Sequence, residues 1–87
     1  MSCYLYILKS AKDNGFYIGI SNDPINRLKQ HNSGSSKSTK PRQPFTLVYQ
    51  EEYGDYSEAR NREKQLKCHG QIRENLLKEI NFYGPIV

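Results

Sequence analysis

Residues 3–20, CYLYILK-SAKDNG-FYIGI, decide the fold. Cys3 to Lys9 and Phe16 to Ile20 are rich in aromatic and β-branched residues, and the six residues between them carry turn chemistry, so the stretch reads as a β-hairpin. A loop with an even number of residues puts Tyr6 and Tyr17 on one face with Tyr4 and Gly19. It also gathers Leu5, Ile7, Phe16, Ile18 and Ile20 on the other face, an oily surface for helices to cover, whereas an odd loop would split the two tyrosines. The even register is preferred because it builds that surface.

Outward from the hairpin, Asn22-Asp23-Pro24 is a helix start, with an Asx N-cap and Pro at the first helical position. The helix is expected from Pro24 to about Asn32. Ile25 and Leu28 supply its buried edge, and Arg27 and His31, at i and i+4, share another. Residues 33–44 have no apolar side chain other than proline and are expected to form a mobile basic loop. Phe45 to Glu52 (FTLVYQEE) is the third strand, closed by Tyr53-Gly54-Asp55. A helix then starts near Ser57, taken as its N-cap, and runs to a stop at Gly70. On it Ala59, Glu63 and Leu66 follow i, i+4, i+7, so a carboxylate interrupts the stripe that ought to be apolar. A last helix, about Gln71 to Phe82, places Ile72, Leu76, Leu77 and Ile80 on one side.

At 87 residues with net charge +4, 36% hydrophobic and 25% charged residues, the chain is expected to be one small folded domain, residues 1–87, drawn to phosphate rather than to basic partners. Cys3 and Cys68 have no zinc-type spacing around them and read as reduced thiols. The N-terminus enters a strand at once, and nowhere is there an apolar run long enough to span a bilayer, so no membrane partner and a cytoplasmic location are expected.

Five residues stand out chemically. Tyr6 and Tyr17 are phenols on strands, where a single tyrosine is usually a packing residue. With an ordinary pKa of about 10, a phenol acts as a base near neutrality only beside a cation or a metal-bound water. Arg27 is such a cation or a phosphate clamp, or else a solvated helix arginine. His31 is a proton relay or an edge residue. Glu63 either takes part in binding a divalent ion or forms an ion pair with Arg60, Arg62 or Lys67, all within helical reach. Lys29, Lys37, Lys40 and Arg42, with Arg27, form a candidate stripe for a nucleic-acid backbone.

Taken in order, Tyr4-Leu5-Tyr6, Tyr17-Ile18-Gly19, Arg27, His31 and Glu63 resemble the GIY-YIG nuclease superfamily, nearest to its small standalone bacterial members. The likeness extends through residues 44–67, PFTLVYQEEYGDYSEARNREKQLK. The first motif departs from the family's name, having Tyr4-Leu5 where it has Gly-Ile, and a late asparagine of some members has Asn75 as its counterpart. The resemblance implies an α+β GIY-YIG fold: a three-stranded antiparallel sheet, first strand central, flanked by helices in the order ββαβαα.

It also implies phosphodiester cleavage with one divalent ion, Mg²⁺ or Mn²⁺. Under that reading Tyr6 helps activate water, Tyr17 supports it, and Arg27 stabilises the phosphorane charge. Glu63 binds the ion, and His31 takes part in proton transfer. The substrate would be DNA, cleaved with structure selectivity or weak sequence preference in repair or recombination. The larger members' separate DNA-recognition domains are not expected here, and a protein partner to supply recognition is a further expectation. Two rivals stand beside the enzyme: a non-catalytic nucleic-acid-binding module or adaptor of the same fold, and a small protein whose basic face meets an acidic protein. The phenols and the carboxylate favour the enzyme, since a binding module needs only the cations.

Overall fold

In the computed structural model, residues 2–34 and 40–83 are described. The side chains of Lys40 and of residues 81–83 are outside that description, as is Lys37 altogether. The elements are β1 (Cys3–Ser10), β2 (Phe16–Ser21), α1 (Pro24–Asn32), a short 3₁₀ turn (Lys40–Arg42), β3 (Phe45–Tyr53), α2 (Tyr56–Cys68) and α3 (Gly70–Tyr83). The sheet is antiparallel in the order β2-β1-β3, so β1 is central as expected.

The hairpin adopts the even register. Tyr6 pairs with Gly19, Leu8 with Tyr17 and Ile7 with Ile18. Because side chains alternate along a strand, Tyr4, Tyr6, Tyr17 and Gly19 share one face. Asn14 takes the left-handed conformation at φ 58°, and the Ser10 N–H closes the turn on the Gly15 carbonyl at 2.9 Å. A bulge between Ile7 and Leu8 lets Val48 join Leu5, Ile7 and Ile18 on the second face.

That second face is covered by α2 and α3, through Leu66, Leu76 and Ile80, with Phe16, Ile20, Ile72 and Leu77 packed around them. Leu66 is fully buried, a burial worth roughly 1.5–3 kcal/mol. On the first face Tyr6, Leu8, Phe45 and Leu47 form a smaller core, with Leu28 and Tyr17 against it. Asn32 joins α1 to β3 in the manner of a backbone pair: its amide nitrogen donates to the Phe45 carbonyl at 3.0 Å, and the Phe45 N–H donates to its oxygen at 2.6 Å.

Several local expectations change. Ile25 is exposed rather than part of a buried edge, because α1 turns Pro24 and His31 to the interior instead. The α2 cap is Asp55, whose carboxylate accepts the Glu58 N–H at 2.9 Å, so Ser57 lies inside the first turn. Gly70 does not simply stop α2: extended His69 ends it and Gly70 opens α3. The expected mobile loop over residues 33–44 is structured from Lys40 onward, where Arg42 pairs with Asp13 at 2.9 Å and lies over the Phe45 ring at 5.6 Å. Residues 35–39 of that loop are outside the described residues.

Candidate active site

The first sheet face and the inner side of α1 enclose a cluster of polar aromatic groups. β1 contributes Tyr6, β2 contributes Tyr17 and Gly19, and α1 contributes Arg27 and His31 one turn apart. The helix is set by its own cap, Asp23 accepting the Asn26 N–H at 3.1 Å, and at its far end by the Asn32–Phe45 pair. His31 is 1% exposed, with its ring 4.8 Å from that of Tyr17 and 6.0 Å from that of Phe45. Tyr6 is also 1% exposed, and its hydroxyl is 3.4 Å from His31 Nε2.

Gly19 makes room for this arrangement. A Cβ on it would lie 2.6 Å from the Tyr6 hydroxyl and 2.8 Å from the ring carbon bearing it, closer than real Cβ atoms approach. The phenol lies across the edge strand at the one residue with no side chain to displace it.

Two opposed effects act on the Tyr6 phenol. Burial pushes its pKa above the ordinary value, while the nearby Arg27 guanidinium pulls it back without cancelling the rise. Tyr17 and the carboxylate of Glu63 both add to the rise, so Glu63 is near enough to act on the phenol through space. Burial lowers His31, and the Arg27 charge lowers it further, which keeps the imidazole neutral and able to accept the phenol proton. Arg27 is held on its other side by Gln30, to whose oxygen it donates at 2.8 Å.

Glu63 is half-buried on α2 between fully buried Ala59 and Leu66, as its place in the stripe requires. Its direct partner is Lys67, 3.3 Å away. Among the described residues no group of three or more His, Cys, Asp or Glu side chains could hold a metal. A lone carboxylate still fits Mg²⁺, which commonly takes one or two protein carboxylates and completes its shell with substrate phosphate and water. Glu63 also lines a cavity of about 250 Å³ with Arg60, Lys64, Lys67 and Cys68.

The remaining candidates lie apart. Tyr4 shares the sheet face but its hydroxyl donates to Glu52 at 3.4 Å. Asn75 is exposed on α3 and accepts from Gln71 at 3.0 Å. It is two residues from both Arg73 and Leu77, which puts it on the opposite side of α3 from the cavity those two line. Lys29 is exposed on α1. Arg42 is bound to Asp13 and donates to the Phe16 carbonyl at 3.4 Å, a structural use of a residue expected on the phosphate path.

Sequence reasoning missed a second cluster, on the opposite sheet face. Glu51 accepts from Tyr49 at 2.5 Å, from Tyr53 at 2.6 Å and from two nitrogens of Arg62 at 3.0 and 3.2 Å. Burial raises the Glu51 carboxyl, but Arg62 and the two phenols outweigh it and hold it below the ordinary range. Burial and the same carboxylate push Tyr53 up to about 12. The fork-to-carboxylate bond fixes the rotation of α2 against β3, one residue before Glu63. Two tyrosines flanking a glutamate at alternate strand positions, Tyr49, Glu51 and Tyr53, were the available signal.

Comparison with known proteins gives the family and a structural relative. The sequence model of the GIY-YIG catalytic domain matches residues 2–75. A UPF0213 protein of Staphylococcus haemolyticus is 42% identical over 78 residues, covering 88% of this chain and 92% of its own length. One of Staphylococcus aureus is 40% identical over 80 residues, covering 90% and 96%. The solution NMR structure of a UPF0213 protein from Bacillus halodurans superposes with a TM-score of 0.56 at 33% identity, covering 92% of this chain and 85% of that one.

Proposed function

The chain belongs to the GIY-YIG catalytic domain family, a family of nucleases, and from that premise we propose that it is a Mg²⁺- or Mn²⁺-dependent endonuclease hydrolysing DNA phosphodiester bonds. One observation carries the reading. The buried Tyr6 phenol has its hydroxyl 3.4 Å from Nε2 of the equally buried His31, on the sheet face that α1 covers with Arg27 one turn before that histidine.

Hydrolysis needs a water deprotonated, negative charge on the phosphorus stabilised, and a leaving oxygen released. Arg27 is bonded to Gln30 at rest, with its guanidinium near enough to the Tyr6 phenol to lower its pKa. In turning toward a phosphate it offsets the charge that grows in the transition state and uncovers the phenol beneath it. The Tyr6 hydroxyl then passes its proton to His31 Nε2 and takes one from the attacking water, whose oxygen bonds to phosphorus as the P–O bond to the leaving oxygen breaks. The leaving oxygen takes a proton from solvent and His31 returns its own to solvent, with Tyr17 supporting the water beside the scissile phosphate. Glu63 would hold the divalent ion, which supplies charge neutralisation at the phosphate oxygens. We further propose a structure-selective or weakly sequence-specific activity in repair or recombination, with a protein partner supplying recognition.

A binding module without catalysis is the rival, and one contact favours it: Lys67 already occupies Glu63. Labelled single-stranded, duplex, flap and four-way DNAs incubated with protein and Mg²⁺ decide between them, beside a Glu63→Gln control. Cleavage by wild type alone supports the enzyme. Binding of the same panel with no cleavage by either protein supports the module.

A further inference from the structure

A row of exposed side chains runs along the outer face of α2, and of these only Lys67, through its pairing with Glu63, enters the chemistry above. Tyr56, Arg60, Lys64 and Lys67 follow i, i+4, i+8, i+11, which brings them to one side of the helix over about 16 Å. Tyr56 is 57% exposed, an unusual position for a large aromatic ring, and Arg60 donates to its hydroxyl at 3.2 Å. Arg60, Lys64 and Lys67 are all exposed. The row borders the 250 Å³ cavity that contains Glu63. At Lys67 it meets a second cavity, of about 380 Å³, whose walls include Arg73 of α3 and Phe16, Tyr17 and Ile18 of the β2 edge. Lys67 is common to both cavities, so the cationic groove continues from the start of α2 to the strand that carries Tyr17.

We propose that this groove binds a single-stranded segment of nucleic acid, its phosphates tracked by Arg60, Lys64 and Arg73 and one unpaired base stacked on Tyr56. The proposal rests on the nuclease reading for its substrate class and adds where the strand lies and in what form. Cations alone would suit any polyanion. An exposed ring at the end of the cationic row suits a base whose face is free, since stacking and backbone charge together are how single strands are held without sequence preference. A duplex offers its phosphates but keeps its bases stacked on one another. An acidic protein segment would match the charge and leave Tyr56 unused.

The test is binding of a fluorescein-labelled oligonucleotide, followed by anisotropy across a range of KCl with EDTA present, so that no cleavage intervenes. For a single strand, the Arg60→Gln/Lys64→Gln protein should lose about 1.4 from the slope of log K against log salt, at about 0.7 per phosphate contact. Tyr56→Ala should weaken single-strand binding roughly 5- to 150-fold with the slope unchanged, and Tyr56→Phe should restore it. Duplex binding should not respond to Tyr56→Ala. Thermal melts confirm that each variant is folded.

An unchanged slope in the α2 double variant, or a larger loss of slope from Lys29→Gln, moves the backbone off this groove and overturns the proposal while leaving the endonuclease reading intact. Equal weakening of single-strand and duplex binding by Tyr56→Ala overturns the stacked base. Displacement of the oligonucleotide by polyglutamate at equal charge overturns it in favour of an acidic protein. Binding that behaves as expected in a protein that cuts no DNA with Mg²⁺ or Mn²⁺ supports the groove and removes the hydrolase reading.

Discussion

The hydroxyl of Tyr6 occupies space that any side chain on Gly19 would need, with the Cβ position only 2.6 Å away. Two residues thirteen apart in sequence are thus locked by the pairing of β1 with β2, and the glycine of the second motif is there for the phenol of the first. Gly19→Ala should therefore displace the Tyr6 ring, which is enclosed and has nowhere to swing. Overpacking of this kind costs about 1–3 kcal/mol. A lowered melt together with reduced single-turnover cleavage is the expected result; a variant with both unchanged would show that the contact is slack.

Tyr6→Phe deletes one hydroxyl and keeps the ring in the small core of the first sheet face. Its melt should move little, while cleavage falls by roughly two to four orders of magnitude as for loss of a general acid–base group. Single-turnover rates at saturating Mg²⁺ check this, and wild-type rates would make Tyr6 a packing residue.

Glu63→Gln should abolish cleavage with the fold retained, because the carboxylate is half-buried and its ion pair to Lys67 lies near solvent, where such pairs add little. NMR titration with Mg²⁺ reads the site directly. Identical shift changes in wild type and variant would return Glu63 to a structural pairing with Lys67.

Glu51 links acid stability to α2. Its carboxyl is held below the ordinary value in the folded chain, so it stabilises the fold fully above the unfolded pKa of about 4.3. That contribution fades as pH falls through the lowered folded value. Glu51→Gln leaves Arg62 without its charged partner and should cost about 2 kcal/mol at pH 7. Denaturant unfolding at pH 7 and pH 3 should give a gap between the two proteins that narrows in acid.

His31 has the same sign in a different window. Its folded pKa is depressed, so the neutral ring stabilises the fold above about 6.5, the ordinary value, and this is lost progressively as pH drops toward the lowered one. Cleavage rates should hold down to pH below 6.5 and then fall as the imidazole takes up a proton and can no longer accept one from Tyr6. A single acid limb centred above 6.5 would exclude a buried neutral His31 from the reaction.

Much of this molecule is written locally. The alternation in CYLYILK and FYIGI, with an even turn between them, is enough to bring Tyr6, Tyr17 and Gly19 to one face, because side-chain direction on a strand depends only on parity. Asp23-Pro24 starts α1, and the spacing of Ala59, Glu63 and Leu66 marks the carboxylate as the odd member of its stripe. These readings need no partner beyond the next turn or the next strand. They failed where two local choices were nearly equal: Ile25 against Pro24 and His31 for the buried side of α1, and Ser57 against Asp55 for the cap of α2.

Tertiary packing decided the rest. Arg27 approaches the Tyr6 phenol, Asn32 borrows the backbone of Phe45, and Arg62 meets Glu51 because helices settle on sheet faces at angles set by every side chain between them. Periodicity says which side of a helix faces inward, but not which polar atom it will find there. Arg42 shows the difference most plainly. In sequence it belongs to a run of cations suited to phosphate, yet folding brings Asp13 and the Phe45 ring to it, and a charge satisfied at 2.9 Å is no longer free to track a nucleic-acid backbone.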